Sequence, residues 1–91
     1  MLFEWDSEKE KRNIRKHGLS FSVAALVFHD ENRLEAYDHT HSLDEDRFIT
    51  IGRIQGTFHV ITVVYTVKDA AIRIISARIA DKREEEKYYA G

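Results

Sequence analysis

Apolar and polar residues change rhythm along this chain, and each rhythm predicts its own element. Leu2 to Trp5 form a short apolar start that suits a strand. Asp6 then stands where a helix cap belongs, with a carboxylate that can accept from the free amides of a first turn. Glu8 and Glu10 follow at the positive end of that helix, with Lys11, Arg12, Arg15 and Lys16 toward the negative end. Gly18 supplies the left-handed residue that commonly closes a helix. Ile14 is almost its only apolar residue, so this helix is predicted to lie on the surface. Ser20 caps a second, shorter helix reaching to about Phe28. Its Phe21, Ala24, Ala25 and Phe28 follow the i, i+3, i+4, i+7 spacing of a buried face.

From Arg33 the period becomes two. Leu34, Ala36 and Asp38 alternate with Arg33, Glu35 and Tyr37, and a polar loop runs from His39 to Asp46. Arg47 to Ile54 reads as a strand, Gln55-Gly56 as a tight turn, and Thr57 to Val67 as the returning strand. Lys68-Asp69-Ala70 is a second turn, and a further strand follows from Ala71 to about Ala80. Val60, Ile61, Val63 and Val64 make a nearly continuous β-branched run, the mark of a central strand covered on both faces. Asp81 to Ala90 reads as a charged helix. The predicted order is β-α-α-β-β-β-β-α, an α+β fold in which an antiparallel sheet is packed with helices. Trp5 is expected in its small core.

Composition narrows the class. Ninety-one residues allow one domain, residues 1–91, and 43% hydrophobic with 33% charged residues describes a folded chain. Cysteine is absent, which excludes disulfides and thiolate metal sites. No apolar run approaches the roughly 20 residues of a membrane helix and no signal-peptide pattern occurs, so a soluble cytoplasmic protein without a membrane partner is expected. Fourteen basic against sixteen acidic residues give a net charge of −2. A nucleic-acid site, if present, must therefore be a local patch.

Arginine is the most informative residue type. Arg47 and Arg53 are six apart, so a regular strand puts them on one face; Arg73 and Arg78 are five apart and need a bulge to share one. The stretch Ile74-Ile75-Ser76-Ala77 can host it. Converging guanidinium forks would grip a phosphate backbone, whereas arginines paired with carboxylates at the sheet rim would only be structural. Lys16 and His17 end the first helix, where they serve either as dipole-offsetting cations or as a phosphate contact and a proton carrier. Asp38, His39 and His41 lie close together, but two imidazoles and one carboxylate without a further spaced pair favour a solvated loop over a metal site. Tyr65 is either core or a base-stacking ring.

Phe3-Glu4-Trp5-Asp6, Asn13 with Lys16-His17-Gly18, Phe21 with Ala24 and Val27-Phe28, Gly52, Tyr65-Thr66, and Ile72-Arg73-Ile74-Ile75-Ser76-Ala77-Arg78 together resemble the BrnT toxins of type II toxin–antitoxin modules. The resemblance spans nearly the whole chain. It implies a RelE-like α+β fold and a metal-independent ribonuclease, needing no cofactor, that arrests translation through 2′-hydroxyl attack on the adjacent phosphate. It also implies a BrnA-type ribbon-helix-helix antitoxin, a 2:2 complex, and repression of operator DNA through that antitoxin. By position, Arg73 and Arg78 would stabilise the phosphorane and His17 would move a proton. Lys16, Arg47 and Arg53 would position RNA, and Tyr65 would stack on a base. The alternative is a non-catalytic interaction module that acts as a corepressor with a DNA-binding partner.

Overall fold

The computed structural model describes residues 1–91. Strand β1 (Leu2–Glu4) leads to helix α1 (Ser7–His17), then α2 (Phe21–Ala24) and a 3-10 helix (Ala25–His29). Four strands follow, β2 (Leu34–Tyr37), β3 (Phe48–Arg53), β4 (Val60–Lys68) and β5 (Ala71–Ile79), and α3 (Lys82–Ala90) ends the chain. The caps form as their chemistry suggests. Asp6 accepts from the Glu8 and Lys9 amides at 2.8 and 3.2 Å, and Asp81 and Glu84 make a reciprocal capping box. Gly18, at φ +72°, closes α1. The second helix departs from expectation: one α-helical turn tightens into the 3-10 segment, which turns Val27 and Phe28 into the core.

The strands form one five-stranded sheet in the order β1-β5-β4-β3-β2. β2 to β5 are the antiparallel meander that the alternation predicts. β1 corrects it, because it lies parallel to β5 with Phe3 opposite Ile72, so the sheet is mixed. Periodicity reports which side chains face the core but not which way a neighbouring strand runs. The β3–β4 connection is also longer than a two-residue turn. Thr57 donates its amide and hydroxyl to the Ile54 carbonyl, and its hydroxyl oxygen accepts the His59 amide, so Ile54 to His59 form a loop. The β4–β5 turn is tight, with Asp69 and Ala70 both at positive φ.

One sheet face carries the core. Phe21, Ala24, Val27 and Phe28 pack on Ile61, Val63, Tyr65, Ile74 and Ala77, with Phe3 and Phe48 beside them. Trp5 is only half-buried, edge-on to Phe21 with ring centres 6.2 Å apart, so it seals the rim of the core instead of filling it. Gly52 lets β3 approach the 3-10 helix, since a Cβ there would stand 2.7 Å from Val27 Cγ2.

Asp30 ties that corner together. Its carboxylate accepts from the Arg53 amide at 2.8 Å, the Asn32 amide at 2.9 Å and the Tyr88 hydroxyl at 2.6 Å, joining the 3-10 helix, β3 and α3. Burial pushes its carboxyl up, but these hydrogen bonds prevail and hold it below the usual range. Burial likewise acts against the charged forms of Asp38 and Glu84. Hydrogen bonds from His41 and Arg78 respectively win, and both carboxyls are lowered. A carboxyl lowered by folding contributes stability that is complete above its unfolded value and lost as pH falls through its folded value. The urea midpoint should therefore be flat between about pH 7 and 5 and should fall steadily below roughly pH 4. Asp30→Asn should flatten part of that slope; an acid limb identical to the parent's would show that Asp30 does not contribute.

Candidate nucleic-acid interface

Strand β5 builds the site through an irregularity. Tyr65 pairs with Ile74 while Val64 pairs with Ser76, so Ile75 is an extra residue with no partner on β4. The bulge restores the parity that five-residue spacing would break. Arg73 is opposite Thr66, Ser76 opposite Val64 and Arg78 opposite Thr62, so all three share the sheet face away from the main core. Their Cα atoms step along that face by two residues of strand, about 7 Å each time.

The outer edge of β5 is the second part. β1 covers only Ala71 to Arg73, leaving the rest of the edge to α1. Asn13, the one buried residue of α1, substitutes for the missing strand. Its amide nitrogen donates to the Ala77 carbonyl at 2.8 Å and to the Leu19 carbonyl at 2.9 Å, and its oxygen accepts the Ala77 amide at 3.1 Å. Glu10 also helps, accepting the Phe21 amide at 2.8 Å. A helix with hardly any apolar face is thus held by hydrogen bonds.

Held in this way, α1 presents Lys9, Arg12, Lys16 and His17 to a groove of about 310 Å³ whose far wall is Ile75 and Ser76. No carboxylate lies within 4 Å of any of these four cationic or imidazole groups, whereas Lys11 on the same helix pairs with Glu8. Ser76 belongs to both surfaces and joins the groove to the strip that bears Arg73 and Arg78. Although the chain is at −2 overall, Lys9, Arg12 and Lys16 leave this groove with positive charge that no carboxylate offsets.

The two strip arginines differ. Arg73 makes one contact of 3.4 Å with Glu4, and both side chains are more than a third exposed, so this pair is weak. Arg78 is held in a two-pronged pair by Glu84, at 2.6 and 2.9 Å. Glu84 also caps the backbone of Asp81, so Arg78 is bound into the start of α3.

The remaining expected residues lie elsewhere. Arg53 ends β3 beside Asn32, Tyr88 and Tyr89, and Arg47 precedes β3 with its Nε 3.9 Å from Glu45. Six strand residues, about 20 Å, separate them, so their shared parity brings them to no common point. Tyr65 is corrected to a core residue. Its ring packs edge-on against Phe28 and stacked on Phe48, and its hydroxyl donates to Glu35 at 3.0 Å. That burial, with the Glu35 carboxylate, pushes the phenol up to about 12. A ring so placed has no free face for a base. Asp38 and His41 bond to each other at 3.0 Å and pin the polar loop.

Reading the residues one at a time missed Lys9, Arg12, Ser76 and the anchoring role of Asn13. A signal was present, because Lys9, Arg12 and Lys16 follow i, i+3, i+7 and lie on one helix face. Offsetting the helix dipole explained the C-terminal cations well enough to hide it.

Comparison with known proteins bears on this arrangement. A family model described as "Ribonuclease toxin, BrnT, of type II toxin-antitoxin system" matches residues 5–84. The fold is similar to the crystal structure of the Brucella abortus ribonuclease toxin, BrnT, with a TM-score of 0.63 and 27% identity, over 90% of this chain and 100% of that one. No curated protein matches the sequence. The family match takes in both α1 with its row of cations and the bulged strand, and the chain belongs to the BrnT ribonuclease toxins of type II toxin–antitoxin systems.

Proposed function

We propose that this toxin cleaves RNA at the junction of the α1 groove and the β5 strip, without a metal ion, and arrests translation by doing so. The observation that carries the reading is the set of unpaired groups Lys9, Arg12, Lys16 and His17 facing Ser76 across one groove. Lys9, Arg12 and Lys16 hold successive phosphates of the backbone. Arg73, whose Glu4 contact is weak enough to exchange, stabilises the charge that builds on the attacked phosphorus. The 2′-oxygen forms a bond to phosphorus as the bond to the 5′-oxygen breaks. The 2′-hydroxyl loses its proton to a base, for which His17 is the candidate in the groove, and the leaving oxygen gains one. The products are a 2′,3′-cyclic phosphate and a 5′-hydroxyl.

Arg78 reaches a phosphate only when Glu84 releases it, and Arg47 and Arg53 touch RNA only outside the cleavage point. The partner is an antitoxin, read as a BrnA-type ribbon-helix-helix protein that forms a 2:2 complex and carries it to operator DNA. The corepressor reading without catalysis gains support from the Arg78–Glu84 pair, from the weaker Arg73–Glu4 and Arg47–Glu45 pairs, and from the separate position of Arg53.

The test is purified protein on a short RNA in the presence of EDTA. Cleavage should persist and leave cyclic-phosphate ends, and a 2′-deoxy substitution at the cut position should block it. Cleavage that needs a metal and leaves 5′-phosphates would overturn the mechanism.

A further inference from the structure

The sheet face opposite the main core is covered only by the nine residues of α3, and it is left unfinished at β2. Leu34, Ala36, Ile49 and Ile51 floor a groove of about 450 Å³ there, and Arg83 and Lys87 of α3 stand along it. The two carboxylates of the groove are already engaged, Glu84 by Arg78 and Glu35 by Arg33 and the Tyr65 hydroxyl. Arg83 and Lys87 have no ion pair, so the charge left for a ligand is positive.

β2 is also the free edge of the sheet. The Asp38 amide bonds to the Arg47 carbonyl, and in an antiparallel ladder the same exchange recurs at Ala36–Ile49 and Leu34–Ile51. The amides and carbonyls of Glu35 and Tyr37 then point outward, where another chain can pair with them. A β-strand partner placed there would drop alternate side chains onto the apolar floor.

We propose that an extended segment of the antitoxin, apolar on one face and acidic on the other, adds as a sixth strand at β2, fills this groove and pairs with Arg83 and Lys87. The proposal rests on the toxin–antitoxin reading above. The apolar floor calls for a protein segment, and the rim calls for its acidic residues. The groove is separate from the α1 cations, and Glu84 links it to the strip, because it both lines the groove and holds Arg78. An antitoxin seated here thus contacts the carboxylate that holds Arg78 on the strip.

The probe is the antitoxin encoded beside this toxin, titrated against the intact chain. The Arg83→Glu/Lys87→Glu variant should bind it about tenfold more weakly at low salt, with the difference shrinking as salt rises from roughly 0.05 to 0.5 M. The Lys9→Glu/Arg12→Glu variant should bind it as the parent does, and hydrogen exchange at Glu35 and Tyr37 should slow in the complex. Equal binding by the first variant, selective loss in the second, unprotected β2 amides, or no binding by the parent would each overturn the proposal. Should α3 fail to fold in the double variant, Lys87→Gln with the exchange measurement still decides. Growth arrest by the chain alone is scored in parallel, so failure of the toxin reading shows as absent arrest, and failure of the docking site as arrest with unchanged binding.

Discussion

Arg73→Ala is expected to abolish growth arrest and to slow RNA cleavage by about 100-fold or more while leaving the fold intact, the size of effect seen when one preorganised donor to a charged transition state is removed. Arg73 is the appropriate strip residue for this test because little depends on it structurally. Its one partner, Glu4, is 3.4 Å away and half-exposed, and a pair of that kind contributes at most about 1 kcal/mol. Arg73→Lys keeps the charge but loses the fork, so it should recover part of the rate. Arg78→Ala is a poorer probe, because it strips Glu84 of its partner and weakens the start of α3. Full cleavage by Arg73→Ala at an unchanged thermal midpoint would remove Arg73 from the mechanism.

Asn13→Ala is expected to give the largest loss of stability among polar substitutions. It leaves the Ala77 amide and carbonyl on an unpaired, buried strand edge, at about 2–4 kcal/mol in all. For a domain of this size that lowers the melting temperature by roughly 10–25 °C. Asn13→Asp should fare no better at neutral pH, since its second oxygen would face the Ala77 and Leu19 carbonyls that now accept hydrogen bonds. Because Asn13 aims α1, both variants should also lose cleavage below their melting temperatures. A loss under about 0.5 kcal/mol would mean that α1 is held by something other than this amide.

Much of the fold was legible in the sequence because local chemistry specifies it. Asp6, Gly18 and Asp81 mark helix ends through groups that act within one turn, and the β-branched run of β4 declares a central strand. The parallel pairing of β1 was not legible, since it joins residues about 70 positions apart and leaves no trace in alternation. Of the groups that line the α1 groove, Lys16 and His17 already stood out in the sequence, and the need for a bulge between Arg73 and Arg78 was read from parity alone. Its place at Ile75 lies within the stretch expected to host it. Arg53 and Arg47 were grouped with them by strand parity, which fixes a face but not a distance along it. Tyr65 could have gone either way from sequence, and burial among Phe28 and Phe48 decided it. Glu84 was invisible as a partner of Arg78, because the turn between β5 and α3 brings them together and no periodicity reports that turn.

The central claim is that this chain is an RNA-cleaving toxin controlled by an antitoxin. Inducible expression of the chain in a bacterium, with and without the neighbouring antitoxin gene, tests it most directly, with growth and total RNA scored together. Growth should stop and RNA should decay when the chain is expressed alone, and the antitoxin should restore both. Normal growth with intact RNA, at a confirmed level of soluble folded protein, would contradict the account.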